Sequence, residues 1–355
     1  MTTATLRPIG VRYTPFQLWL RLGVLPLLLV LALIMATIYG AVGIGPSEVL
    51  GILLSSLGIP TGHSWPATDV AIIWQLRFVR VITAALIGAA LATSGAVFQA
   101  VLRNPLADPF VIGTSSGAIL GVALAVTIPL GFAWLGFGAV QIMAFLGAMV
   151  AIGIAYVLAR VDRKAPTMTL LLAGFAVSTL MMAAMWLVVY QAGQTDRLFN
   201  WTMGSLADTY WSQLRLLAPL ILILIVACWL FVRDLNALLL GEEQAAHLGL
   251  GVERVKVGMI ILASLLTGLA VSVSGVIGFV GLVVPHVTRL IYGPDHRILL
   301  PATAFLGATY LVLADLLART AEGAGGEIPL GIVTALIGAP FFLYLLRRSG
   351  DAYRF

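Results

Sequence analysis

Charge is scarce in this chain of 355 residues. Asp, Glu, Lys and Arg together make up 10% of it, against 61% apolar residues and a mean hydropathy of +1.05. Soluble domains carry roughly a quarter charged residues, so the shortage excludes that class and points to a polytopic helical membrane protein. Cysteine is almost absent. The one residue, Cys228, falls inside an apolar run, which excludes an intrachain disulfide framework and a cysteine metal cluster. No Gly-x4-Gly-Lys-Ser/Thr phosphate loop occurs, so nucleotide chemistry must reside on another polypeptide. No small-residue cleavage pattern ends the first apolar segment, and no cleavable signal peptide is expected. Short alternating apolar stretches, the mark of a transmembrane β-barrel, are missing as well; the apolar runs are continuous and about twenty residues long. The net charge of +5 invites a nucleic-acid reading, but the basic residues are scattered between apolar runs and form no patch.

What is present is an all-α pattern of about ten transmembrane helices. The spans are expected near Leu18–Tyr39, Val79–Leu102, Phe110–Ile128, Ala139–Ala159, Met168–Gln191, Leu214–Val232, Val257–Gly275, Gly278–Tyr292, Ile298–Leu317 and Pro329–Leu346. A full crossing needs ~20 residues at ~1.5 Å rise. The eighth is too short and glycine-rich to cross as one straight helix, and Pro285 is expected to break it. A short helix is expected around Ser47–Leu57.

Positive charge sets the orientation. With the N-terminus inside and ten crossings, both termini are cytoplasmic, and 15 Lys and Arg fall on the cytoplasmic side against five outside: Arg77, Arg80, Arg197, Arg215 and Arg319. A multi-pass location in a membrane, in contact with lipid, is expected.

An internal repeat runs at an offset of 180 residues. Gly88 matches Gly268, Ser94-Gly95 matches Ser274-Gly275, Leu102 matches Leu282, and Pro105 matches Pro285. The copies, about 75–191 and 255–348, are five crossings apart and therefore run in opposite directions. Inverted-topology repeats are a transporter signature. Gly113, Gly117 and Gly121 form a close-approach face on the third span.

The densest run of charge is the segment from Asp234 to Lys256, with six charged residues and His247 in 23 positions. It reads as a short helix in water. Gly241 caps its start, Glu242 and Glu243 suit its positive end, and Gly249 ends it. Ala245 and Leu248 share one face, Glu243 and His247 another. Such a helix between two spans is either a solvated connector or a docking knob.

Three stretches carry a resemblance: Ser94-Gly-Ala-Val-Phe-Gln-Ala-Val-Leu-Arg-Asn-Pro-Leu-Ala-Asp-Pro109, Gly278-Phe-Val-Gly-Leu-Val-Val-Pro-His286 and Pro329-Leu-Gly-Ile-Val-Thr-Ala-Leu-Ile-Gly-Ala-Pro340. In this order, over about Gln75 to Arg348, the chain resembles the FecCD-type permeases of bacterial ABC importers for ferric siderophores, haem and vitamin B12. The resemblance implies a homodimer of ten-helix, single-domain subunits, two ABC ATPase subunits that hold ATP and Mg, and one soluble binding protein docked above. The chain itself would be no enzyme and would bind neither cofactor nor metal.

By the same resemblance, Gly241, Glu242, Ala245, His247, Leu248 and Gly249 form the coupling element that seats in the ATPase. Arg77 and Arg80, in Gln75-Leu-Arg-Phe-Val-Arg80, and Arg319, in Ala314-Asp-Leu-Leu-Ala-Arg319, occupy positions where the vitamin B12 member meets acidic residues of its binding protein. Interfacial snorkelling, or an Arg319–Asp315 pair, explains the same arginines. The turn before the fifth span, with Thr167 and Met168, matches the family's cytoplasmic gate in position but lacks the hydroxyl pair of the vitamin B12 member. Met181 and Met185 on that span suit a path for bulky cargo, or plain helix packing. Arg197, in the outward segment Gln194–Trp201, could meet cargo carboxylates. His286 is expected to hydrogen-bond. An ion-coupled secondary transporter is the rival class; it needs a buried ionisable group, for which Asp315 is the candidate. An intramembrane hydrolase would need a Ser/His or paired-carboxylate set that the spans lack.

Overall fold

The computed structural model describes residues 15–40, 42–128, 131–162, 164–192, 195–321 and 326–349. The helices are α1 (Pro15–Ile38), α2 (Pro46–Ser56), α3 (Ala67–Val70), α4 (Val79–Val101), α5 (Thr114–Thr127), α6 (Ala139–Ala159), α7 (Thr167–Ala192), α8 (Thr195–Thr202), α9 (Trp211–Leu230), α10 (Val232–Leu238), α11 (Glu242–His247), α12 (Val252–Ser274), α13 (Val280–Tyr292), α14 (His296–Thr320) and α15 (Leu330–Ser349). A hairpin of β1 (Ala133–Trp134) and β2 (Phe137–Gly138) joins α5 to α6. Among the described residues, six helical runs are long and apolar enough to cross a membrane, and four shorter apolar helices accompany them. Each apolar segment expected from the sequence falls on one of these ten.

The bundle is built around α4. It is buried over 78% of its most apolar window, against 22% for α7, and small residues explain why. A side chain at Gly88 would strike the carbonyl of Gly307 on α14, and one at Gly95 the backbone of Gly281 on α13. Ser94 Oγ lies 2.6 Å from Thr267 Oγ1 and donates to Ala263 O on α12. Without hydrophobic drive between helices in lipid, such close backbone approach holds the bundle together. Of the three glycines expected to form a close-approach face, Gly117 and Gly121 do press on the backbone of α6, but Gly113 (φ 97°) is the left-handed hinge between a 3-10 turn (Pro109–Ile112) and α5.

Two expectations are corrected. The second span does not begin at Val79; Pro66 starts a helical run at Ala67 that continues through a π-helical stretch (Ala71–Phe78) into α4. Pro285 does not break α13. Proline frees the carbonyl four residues back, here Gly281, and Gln99 of α4 supplies the missing donor: its Nε2 lies 3.4 Å from Gly281 O and 3.3 Å from Leu282 O. The positions paired by the sequence repeat differ locally, since Gly95 is mid-helix and Gly275 (φ 68°) ends α12, while Pro105 sits in a turn and Pro285 in a helix.

Candidate functional site

Chemistry gathers at the two ends of α4. At its C-terminal end lies the charged loop. Gly241 (φ 116°) makes a turn few L-residues adopt, beside the guanidinium of Arg103. α11 follows, and Glu242 and Glu243 in its first turn face the positive helix end. Gly249 N donates to Ala246 O and Leu250 N to Ala245 O, with Gly249 left-handed (φ 84°); this is a Schellman ending. Beside α11 opens a cleft of about 1090 Å³, lined by Arg103, Lys164, Leu240, Glu243 and Arg254 among others.

The face expected to be shared by Ala245 and Leu248 needs correction here. Ala245 is fully buried against the chain's own helices, while Leu248 is 69% exposed. Six residues make under two turns, and Leu248 is already the cap, so it swings away from the face of Ala245. His247, Leu248 and Gly249 therefore form the exposed tip, and Ala245 is the seat.

Lys256, at the start of α12, was given no role by the sequence. Its ammonium is 3% exposed, donates to Glu242 Oε1 at 2.8 Å and Ala165 O at 3.2 Å, and lies 3.9 Å from Glu253. Glu253 Oε1 in turn accepts from Ala165 N. α11 is thus tied to the turn that opens α7, where Thr167 is half-buried and Met168 exposed. A second unforeseen clamp holds α10. Asn236 donates to Asp295 Oδ1 at 2.7 Å, while its Oδ1 accepts from His296 N at 2.9 Å and lies 2.8 Å from His296 Nδ1. His296 is fully buried, and Asp295 caps α14. A polar residue three positions after Arg233 was the only sequence signal for this latch.

At the other end, Arg77, Arg80 and Arg319 come together, each under 10% exposed. Arg80 Nε and Nη2 each lie 2.9 Å from Asp315 Oδ1, and Arg319 Nε lies 3.0 Å from Asp315 Oδ2. Glu327 meets Arg80 Nη1 at 2.8 Å. The Arg319–Asp315 pair weighed from the sequence is present, with Arg80 as a third member. Arg77 donates to the carbonyls of Ile38 (3.1 Å) and Val42, and Arg319 to Ala36 O (2.9 Å), so both cap the carbonyl end of α1. The cluster lines a cavity of about 260 Å³ with Ile72, Leu76 and Ala207.

The remaining candidates separate. Met181 and Met185 are buried on one face of α7 with Leu170, Gly174, Val177 and Val189, at a spacing of three to four residues, and pack into this chain's core clusters. Arg197 lies in α8, but its side chain falls outside the described residues. His286 Nδ1 is buried with no hydrogen-bond partner among the described residues; the ring meets Phe341 edge-on at 6.4 Å, so the hydrogen-bonding expectation fails at that atom.

Comparison with known proteins decides the family. The FecCD transport family matches residues 28–348. The chain belongs to the FecCD transport family. This FecCD permease is 44% identical over 289 residues to the cobalamin import system permease BtuC of Halobacterium salinarum, covering 81% of the chain and 76% of that protein. It is 43% identical over 283 residues to the hemin transport permease HmuU of Yersinia pestis, covering 79% and 84%. A solved metal-chelate type ABC transporter in an inward-facing conformation superposes with a TM-score of 0.77 at 31% identity, over 92% of the FecCD permease and 99% of that chain. The FecCD permease is thus a multi-pass helical transport subunit of the ABC type.

Proposed function

We propose that this chain is the membrane-spanning subunit of an ATP-driven importer that takes a metal chelate from a soluble binding protein and releases it into the cytoplasm. The favoured cargo is a ferric siderophore, with haem or cobalamin, the cargo named for its relatives, next. The assembly is a homodimer with two ATPase subunits, which hold ATP and Mg, and one binding protein. α7 supports the dimer: Phe175, Leu180, Trp186, Leu187 and Tyr190 are all more than half exposed, an apolar face suited to a second copy across a path. The charged loop faces the cytoplasm with both termini, and the arginine cluster faces outward.

The observation that carries this reading is the bridge from Glu242 through Lys256 to Ala165. A docked ATPase grips the exposed tip at His247, Leu248 and Gly249. Gly241 and Glu242 form the root, and Ala245 keeps the short helix seated, so the tip and Lys256 move together. Displacement of α11 then pulls on the turn that opens α7, where Thr167 and Met168 guard the inner mouth. Asp315 does not suit the secondary-transport alternative, because both its oxygens are held by arginines. The deciding experiment reconstitutes the permease with its ATPase and binding protein and asks which loaded chelate stimulates ATP hydrolysis. Uptake that survives loss of the ATPase and collapses with an ionophore refutes the proposal.

A further inference from the structure

Among the described residues, the cluster around Arg80 sets three guanidiniums against two carboxylates, leaving one positive charge uncompensated. The two acids are held very differently. Asp315 is 1% exposed at its side chain and shared between Arg80 and Arg319, a locked arrangement. Glu327 is 46% exposed, sits in the segment between α14 and α15, and reaches Arg80 only through Nη1, with its two oxygens at 2.8 and 3.0 Å. A strong arginine–carboxylate pair uses two nitrogens in parallel, and here Nε and Nη2 are already committed to Asp315. The Glu327 contact is therefore both solvent-screened and geometrically poor. Arg77, which lines the same cavity, bonds only backbone carbonyls and has no carboxylate partner among the described residues. A seat with one surplus cation and one loosely held anion is built for exchange.

We infer that Glu327 is a resident counterion of this seat, displaced from Arg80 when a carboxylate of the binding protein enters the cavity. The inference rests on the docking role of Arg77, Arg80 and Arg319. Without a partner, Glu327 partly quenches Arg80 and leaves the surplus charge at Arg77, and docking must first break the Glu327–Arg80 pair. Only an acid that also engages Arg77 gains more than it displaces, which favours a properly oriented partner over stray anions.

The test uses the full-length permease in phosphatidylcholine nanodiscs at low salt, with a fluorescent hexaglutamate peptide as the carboxylate probe and hexaglutamine as its neutral control. Glu327→Gln is expected to bind hexaglutamate roughly three- to tenfold more tightly than the wild type. Adding Arg77→Gln should remove that gain. Equal or weaker binding to Glu327→Gln overturns the inference, as does a gain shared by hexaglutamine or one that survives Arg77→Gln. A parallel titration with the transporter's own binding protein isolates the docking reading. If Arg77→Gln leaves that protein's affinity unchanged while Glu327→Gln still tightens hexaglutamate, docking is refuted and the exchange stands. If Arg77→Gln weakens docking but Glu327→Gln changes nothing, docking stands and the counterion role is refuted.

Discussion

Lys256→Met is the sharpest perturbation of the proposed mechanism. Methionine fills nearly the same volume and keeps the flexible stem, but it removes the ammonium that joins Glu242 to Ala165 O. Three effects set the cost to stability. Ala165 O loses a buried charged donor, at about 1–3 kcal/mol. The pair with Glu242 contributes under about 1 kcal/mol, because that carboxylate is nearly half exposed. Against these, the variant no longer desolvates a cation that is only 3% exposed, which returns part of the loss. The net destabilisation is therefore about 1–2 kcal/mol, small enough for the permease to remain inserted and folded. Coupling should suffer far more. Binding-protein-stimulated ATP hydrolysis and uptake are expected to fall roughly tenfold or more, corresponding to a coupling of about 1.4 kcal/mol or more, while the thermal midpoint drops by only a few degrees. Glu242→Gln should produce part of the same defect, and the double variant should be no worse than Lys256→Met, since both cut one link. Additive defects, or stimulation that stays within twofold of wild type in a folded Lys256→Met permease, would refute the bridge.

The two halves of the short helix α11 should respond oppositely: Leu248→Glu is expected to fold normally yet abolish ATPase-driven uptake, whereas Ala245→Glu buries a charge and should cost ~3 kcal/mol or more, seen as loss of monodisperse protein in detergent. Gly95→Ala places a Cβ about 1.8 Å from Gly281 O, and because backbone must shift, a drop of ~2–4 kcal/mol in unfolding free energy is expected; Gly153→Ala, with open space around it, is the control and should be silent. Asp108 caps the 3-10 turn through Phe110 N at 2.8 Å, and burial pushes its carboxyl from 3.8 up to about 6 against that hydrogen bond. The folded state then holds the proton more tightly than the unfolded one, so stability falls as pH rises from about 4 to 6 and the penalty is complete above that. Asp108→Asn keeps the cap without the charge; it should stabilise by about 1–2 kcal/mol at pH 8 and do nothing at pH 4, by thermal unfolding at both values.

Local rules made much of the molecule legible. Apolar run lengths located the six long and four shorter apolar helices among the described residues, because a bilayer demands one pattern; α6 was read to the residue and α7 to within one at either end. Gly241, the two glutamates and Gly249 spelled out α11 through capping chemistry alone. Failures arose wherever a group's fate depended on a distant partner. Pro285 sits unbroken in α13 only because Gln99, 186 positions earlier, supplies a donor. Met181 and Met185 could not be assigned to core or path until the neighbours of α7 were known. Lys256 counted in the sequence as one more cytoplasmic positive charge, although burial makes it the hub of the loop. Arg77, Arg80 and Arg319 were legible as exceptions to the charge bias, but not their burial: Arg77 and Arg319 are drawn in by the last carbonyls of α1, and Arg80 by Asp315.

The two charged ends are joined by a pair of helices that can only move together. α4 carries Arg80 at one end and leads to Arg103, beside Gly241, at the other. α14 carries Asp315 and Arg319 near its C-terminus and the Asp295–His296 latch to α10 at its start, roughly 29–35 Å away at ~1.5 Å per residue. Between these ends Gly88 and Gly307 meet backbone to backbone, so neither helix can slide or turn without displacing the other's peptide groups. A packed pair of this kind has few intermediate positions: it stays in register or shifts as a unit. Altering the charge balance around Arg80 therefore bears on a body whose far end is latched to α10, the helix that leads into α11. Asn236→Ala releases that latch without touching the arginine cluster, the tip of α11 or the Lys256 bridge. If the two helices transmit as one body, the variant should keep binding-protein affinity and ATPase affinity near wild type while stimulation of ATP hydrolysis by the docked binding protein is lost. Full stimulation in Asn236→Ala would show that the signal does not pass through α14.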